Sequence, residues 1–359
     1  MQNFSNIYKN KKVLITGHTG FKGSWLTLWL NMLGANILGY SIDTPTNPSM
    51  FKSINIKKKI IDIKGDVRNF KKLDLVIKKF KPEIIFHLAA QPIVTESYKN
   101  PQETFTTNIL GTLNVLECVR QNSFLKACVI VTSDKCYRNR ELHRGYKEND
   151  QLAGVDPYSA SKSSAEIISH SYFNSFFTKK NVATARAGNV IGGGDWSSER
   201  VVPDYFRALQ NKRKLKIRNP NSTRPWQHVL EPLGGYLLLG KFLIDNKRHV
   251  SNNSYNFGPG NNIKNKTVLD LVKSLNKAEF YKIIKKKNNM YESKLLQLNC
   301  IKAAKDLNWR PVLDFQETIN FTKLWYENFI NKSNMYDFSK EQILEYSKIA
   351  TYKKMRWLK

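Results

Sequence analysis

Short apolar runs alternate with amphipathic ones through the first half of the chain. Residues 12–16, 36–40, 60–68, 83–91, 126–132 and 183–187 have strand length and are rich in Ile, Val and Leu. Segments 24–33, 108–121 and 158–177 carry apolar side chains at helical spacing. In the last of these, Ile168, Tyr172 and Phe176 recur every fourth position, with Phe173 and Phe177 alongside. Gly34 closes the first helix where a C-terminal glycine belongs. Strand and helix in regular alternation predict an α/β fold with a parallel, doubly wound sheet.

The alternation stops after residue 187. Residues 188–196 are glycine-dense and predict a hinge into a second, smaller α/β lobe. Helices are expected at 201–211, 231–244, 268–275, 301–307 and 314–330, and a turn at 255–260. The expected division is 1–186 for the first domain, with 226–256 returning to it, and 187–225 plus 257–359 for the lobe. The basic, aromatic tail from Ser333 onward predicts no role.

With 359 residues and 41% hydrophobic side chains the chain can bury a large core. It contains no apolar run near the roughly 18 residues that a membrane helix needs, and its first ten residues are polar. Cys118, Cys128, Cys136 and Cys300 fall at no metal or disulfide spacing, so no metal is expected and a reducing cytoplasm is the plain reading. The net charge of +29 is spread over the chain. Its densest runs, 57–59 and 285–287, lack interleaved aromatics, which argues against a nucleic-acid platform and for attraction of a phosphorylated small molecule.

Candidate chemistry lies at the ends of the expected strands. The 12–16 run enters Gly17-His18-Thr19-Gly20-Phe21-Lys22-Gly23 and then a helix, the context that makes a glycine pattern a dinucleotide loop rather than an ordinary tight turn. Glycines admit a pyrophosphate to the backbone, and the helix N-terminus offers free N–H groups. Asp43, two residues beyond Ser41, is the candidate for the adenosine ribose and suggests NAD, although Lys22 and the positive charge leave NADP open. Asp66, ending the third strand, is placed to accept from the adenine amino group. His87 reads as a packed strand-end residue, followed by the small residues of 88–91 where a cofactor would pass.

Two further stretches complete the pattern. Residues 129–137 form a strand that runs into Ser133, Asp134 and Lys135: a hydroxyl, a carboxylic acid and an amine in succession. About 25 residues later, Tyr158 and Lys162 stand four apart, on one face of a helix. Tyr-x-x-x-Lys alone is a weak signal. A free phenol titrates near about 10, and a neighbouring ammonium is expected to lower that value.

Together these motifs resemble the extended short-chain dehydrogenase/reductase family: GxxGxxG, a serine at the end of the fifth strand, then YxxxK. The stretches 132–137, 156–162, 183–196 and 224–232, with 17–26, are similar to its CDP-glucose 4,6-dehydratase branch, over residues 9 to at least 330. The resemblance implies a Rossmann-type sheet that binds NAD and a smaller lobe that binds a nucleotide sugar. It places the cofactor on Gly17, Thr19, Gly20, Phe21, Lys22, Gly23, Asp43, Asp66, Val67, Leu88, Ala89, Ala90, Gln91, Asn108, Tyr158 and Lys162. The sugar nucleotide falls to Gln91, Ser133, Arg186, Asn189, Arg218, Arg224 and His228. It assigns Tyr158 the 4-hydroxyl proton, Ser133 a hydrogen bond to that oxygen, Lys162 the phenolate and ribose, Lys135 the C5 proton and Asp134 the departing C6 hydroxyl. It further implies a cytoplasmic homodimer or higher oligomer serving deoxysugar and O-antigen biosynthesis. A 4-epimerase or reductase on the same scaffold needs no Asp134–Lys135 pair, and a non-catalytic NAD-binding scaffold needs no Tyr–Lys pair.

Overall fold

The computed structural model describes residues 3–142, 144–177, 181–245, 253–260, 265–275, 280–284 and 295–355. Seven parallel strands form the main sheet, in the spatial order Ser254–Phe257, Asn181–Ala187, Ala127–Val131, Ile84–His87, Lys12–Thr16, Asn36–Ser41, Ile61–Lys64. The order reverses beside Lys12–Thr16, the switch point where such sheets open a crevice at their carboxyl ends. The register sets Thr16 against His87, His87 against Ile130, and Ile130 against Thr184. The loops that follow these residues therefore leave the sheet at one edge.

Successive strand residues face opposite sides, and both sides are covered. Val13, Ile15, Phe86, Val129 and Ala185 pack in one cluster with Trp25, Trp29, Leu233 and Leu237. Leu14, Ile85, Cys128, Ile130 and Val182 pack in another with Leu73, Ile77, Val115, Leu116 and Phe173. The first cluster continues through Ile191, Trp196 and Phe206 to Trp325, so the carboxy-terminal half shares the core of the sheet.

Local chemistry sets the helix boundaries. The active-site helix, Pro157–Phe176, starts with proline in its first turn, and the Asp156 side chain accepts from the Ser159 N–H at 2.9 Å. Of its expected apolar stripe, Phe173 and Phe177 are buried while Phe176 is exposed. Phe315–Ile330 opens with a capping box of Asp314 and Glu317. Val268–Leu275 and Ile301–Leu307 match their expected spans.

Four elements differ from expectation. Residues 254–257 form the seventh strand, not a turn: Tyr255 and Phe257 are buried, and the Asn256 amide donates to the carbonyls of Tyr146 and Asn299 at 2.9 and 3.1 Å. The helix expected from residue 108 begins at Pro101, passes through a π turn at Thr106–Leu110 and continues as Gly111–Gln121. The third strand is only Ile61–Lys64. The tail makes a helix, Met335–Tyr352, packed on Phe315–Ile330 and on the helix Phe21–Met32, where Tyr346 meets Trp29 edge-on at 5.7 Å. Its Tyr346 hydroxyl donates to Glu231, which also accepts from the Val312 and Leu313 N–H groups.

The basic run 57–59 lies on an exposed turn, and the run 285–287 lies outside the described residues. The four cysteines are free thiols. Among the described residues, no helix is long and apolar enough to cross a membrane, and no His, Cys, Asp and Glu cluster could hold a metal ion.

Candidate active site

The glycine loop lies directly against the segment after the fourth strand. A Cβ on Gly17, whose φ is +76°, would sit 2.6 Å from the Ala89 nitrogen, and one on Gly23 would sit 2.1 Å from the Gly17 carbonyl oxygen. Gly20 precedes the helix in extended conformation and no side chain caps its N-terminus. The first N–H groups of Phe21–Met32 are thus left for an anion, as a pyrophosphate cradle requires.

Thr19 fastens the loop to the end of the second strand by donating to the Asp43 carbonyl at 2.6 Å. The Asp43 carboxylate itself is exposed and pairs with Lys64 at 3.0 Å, which holds it below the usual carboxylate range. His18 bridges Ser41 and Asp62, both at 2.8 Å. Asp66 accepts from the Arg68 backbone and guanidinium, and these bonds outweigh partial burial to lower its pKa. Val67 beside it is buried under Gly111.

His87 is packed and bonded, 2.7 Å from the Thr16 hydroxyl and 3.2 Å from that of Thr112, and burial pushes its pKa down to about 3. Leu88, Ala89, Ala90 and Gln91 follow, half-buried. The Gln91 side chain is engaged by Thr104 and the Ile93 N–H rather than presented to the crevice. Its backbone pairs with the Asn108 amide at 2.8 and 3.1 Å, and that amide also donates to Ser161 on the active-site helix at 2.8 Å.

The strand Ala127–Val131 delivers Ser133, Asp134 and Lys135 on a 3-10 turn. Ser133 Oγ donates to Asp134 Oδ1 at 3.0 Å and accepts from the Lys135 N–H at 3.2 Å. Tyr158 is buried and bonds to Ser133 through its side chain, and its own N–H is held by Ser97 at 3.1 Å. Lys162, one turn on, donates to the Val131 carbonyl at 3.3 Å. Ser133, Asp134, Lys135, Tyr158 and Lys162 are therefore one constellation at the crevice, with Lys22 and Arg224 within electrostatic reach of Asp134.

Three comparisons with known proteins decide the family. The family model described as GDP-mannose 4,6 dehydratase matches residues 14–322. A CDP-glucose 4,6-dehydratase of Salmonella typhimurium is 43% identical over 356 residues, covering 96% of this chain and 99% of that protein. A human dTDP-D-glucose 4,6-dehydratase is 26% identical over 90% of this chain and 93% of its own. The chain belongs to the GDP-mannose 4,6-dehydratase family. The fold is also that of a Bacillus anthracis dTDP-glucose 4,6-dehydratase solved with NAD, at a TM-score of 0.74 and 22% identity over 90% of this chain and 98% of that one. It is likewise that of a Stenotrophomonas maltophila UDP-glucose 4-epimerase solved with NAD, at a TM-score of 0.77 and 18% identity over 90% and 100% of the two chains.

Within this member of the family, the electrostatics depart from expectation at Tyr158. Burial pushes the phenol up to about 12, with Asp134 adding to the rise, where the expected effect of Lys162 was a lowering. The reason is geometric: the Lys162 ammonium is directed to the Val131 carbonyl, and burial pushes its own pKa down to about 8. Asp134 behaves as expected of an acid. Burial raises its pKa against the pull of Lys135, the Ser133 hydroxyl, Lys22 and Arg224.

Two residues expected on the sugar nucleotide lie elsewhere. Arg186 is 2% exposed and forms a bidentate ion pair with Glu166, so it is part of the interior. His228 is fully buried between the rings of Trp25 and Phe321, and burial pushes its pKa down to about 3. Asn189 accepts from the Gln227 N–H at 3.2 Å, Arg218 is exposed after Leu215–Ile217, and Arg224 pairs across a two-residue ladder with Lys266.

The structure adds Arg200, which sequence reasoning missed. It pairs with Asp195 at 2.9 Å and lies within electrostatic reach of Tyr158 and Lys22. Its signal was Asp195 at the end of the glycine run, five positions before the arginine that opens Val201–Gln210.

Proposed function

We propose that this chain is an NAD-dependent nucleotide-sugar 4,6-dehydratase, with CDP-D-glucose as substrate and CDP-4-dehydro-6-deoxy-D-glucose as product. The observation that carries the reading is the Asp134–Lys135 pair beside Ser133 and Tyr158, with Ser133, Asp134 and Tyr158 buried and Lys135 half-buried. The name of the 43% identical relative supports the choice of base and sugar.

The loop from Gly17 to Gly23, the uncapped helix N-terminus and the Leu88–Ala89 floor fit a dinucleotide, with Asp43 and Asp66 at its adenosine end. When bound, NAD+ supplies the two-electron acceptor and later the donor. Tyr158, whose phenolate the Ser133 hydrogen bond favours, takes the proton of the 4-hydroxyl, and Lys162, one turn on, would hold the cofactor ribose. A ketone at C4 acidifies C5, whose proton passes to Lys135. Asp134, whose pKa burial raises, gives its proton to the C6 hydroxyl, which leaves as water; C6 then takes back the hydride lost from C4, and Lys135 returns its proton to C5.

In this reading residues 1–186 with 226–256 carry the cofactor, and 187–225 with 257–359 carry the sugar nucleotide, the tail helix bracing the cofactor side. The enzyme is a cytoplasmic homodimer that serves deoxysugar and O-antigen synthesis. Leu110, Ile167 and Phe176, exposed along the helices at 101–121 and 157–176, supply the apolar contact for pairing.

Purified protein incubated with a panel of nucleoside-diphosphate sugars should convert CDP-glucose to a product lighter by one water, read by mass spectrometry. Lys135→Met should retain NAD binding and lose solvent-hydrogen exchange at C5. Undiminished dehydration by that variant, or C4 inversion without loss of water, would refute the assignment. The second outcome would favour a 4-epimerase, the activity named for several proteins of this fold.

A further inference from the structure

Behind the catalytic turn lies a buried ion pair that no chemical step above uses. The side chains of Glu166 and Arg186 are 1% and 3% exposed. Arg186 donates to both carboxylate oxygens, Nε at 2.9 Å and Nη2 at 2.8 Å. Glu166 also accepts from the hydroxyls of Thr132, of Thr184 at 2.8 Å and of Ser254 at 3.4 Å. Arg186 Nη1 in turn donates to the Tyr137 hydroxyl at 2.6 Å and to the Glu148 carbonyl at 3.0 Å. The Tyr137 hydroxyl donates to Asn256 Oδ1 at 2.8 Å.

The placement of two of these partners matters most. Thr132 immediately precedes Ser133, and Tyr137 immediately follows Cys136. One ion pair thus grips the catalytic turn at both ends while it spans the active-site helix and the sixth and seventh strands. We infer that Glu166 and Arg186 are positioning residues that fix Ser133, Asp134 and Lys135 against Tyr158 and Lys162. Burial excludes a surface role, and two of the hydroxyls that satisfy the pair come from the residues flanking the turn, so the pair and the turn are held together.

Glu166 also lies one helical turn beyond Lys162, where its charge favours the ammonium against burial. The other groups that face Lys162 are the Cys136 thiol of the turn, His87 of the fourth strand and Lys22 of the glycine loop. Among these, Glu166 is the group whose negative charge persists at neutral pH, since its pKa is lowered despite burial.

The turnover test rests on the dehydratase reading; a second readout does not. Glu166→Gln should lower kcat roughly 10- to 100-fold, leave KM for CDP-glucose nearly unchanged and move the alkaline limb of the kcat–pH profile to lower pH. Independently of turnover, the pH midpoint for labelling of Lys162 by a small amine reagent, mapped by peptide mass spectrometry, should fall. Thr132→Val and Tyr137→Phe, which each remove one hydroxyl, should each lower kcat several-fold and serve if Glu166→Gln does not fold. Wild-type kcat in both hydroxyl variants, or an unchanged Lys162 midpoint in folded Glu166→Gln, overturns the inference. If the wild type dehydrates no sugar nucleotide, the dehydratase reading fails and the labelling midpoint alone decides on Glu166.

Discussion

Asp134 and Glu166 are two buried carboxylates bonded to neighbouring hydroxyls at one strand end, those of Ser133 and Thr132, and their surroundings drive their titration apart. Burial is the largest influence on each and favours the neutral acid in both. Around Glu166, a bidentate guanidinium and three hydroxyls overcome it, and the carboxylate stays ionised. Around Asp134, one hydroxyl and more distant cations do not. Donor count, at equal burial, separates a proton donor from a fixed anion.

The contrast has opposite consequences for pH. Glu166, with a folded pKa below the unfolded value near 4.5, contributes stability that is present above that value and lost as pH falls through the folded one. Asp134, raised above 3.8, does the reverse: its ionisation costs stability as pH climbs towards its folded pKa.

Arg186→Met should have the largest effect. It leaves Glu166 as a buried anion without its cation and should cost about 3–5 kcal/mol in denaturant unfolding at neutral pH, with part of the loss recovered on acidification as Glu166 protonates. An undiminished midpoint would mean that the hydroxyls alone hold the charge. Asp134→Asn comes next: kcat should fall about 100-fold while unfolding at neutral pH shows equal or greater stability. A destabilised Asp134→Asn would remove the contrast. Ser254→Ala, which deletes the longest of the Glu166 hydrogen bonds, should cost only about 0.5–1 kcal/mol; a loss as large as that of Arg186→Met would show the network to be all-or-none.

Much of the fold was legible because it is written locally. The apolar runs end in glycine loops or caps, and the first six strands follow from them. Ser254–Phe257 was not legible: its central Asn256 looks like turn chemistry, and its partners Tyr146 and Asn299 lie 110 and 43 positions away. At the site, Ser133, Tyr158 and Lys162 could be found because strand end and helical spacing bring them together. Arg186 was misplaced because a cationic residue near a strand end carries no sign of its own burial. Its partner Glu166 was in fact readable, four positions after Lys162 on the same helix face. His228 was misplaced because the rings that enclose it, Trp25 and Phe321, come from distant helices.

The seventh strand bears on biosynthesis. Every side chain assigned a catalytic role has been synthesised by residue 162, yet Ser254 and Asn256, which complete the network around Glu166 and Arg186, arrive some ninety residues later. Until they do, Asn181–Ala187 presents an open edge on which another nascent chain could add. A ribosome paused inside that interval holds a chain with its full chemical equipment and an unfinished frame, so synonymous changes that lengthen the pause should reach yield through aggregation rather than through specific activity.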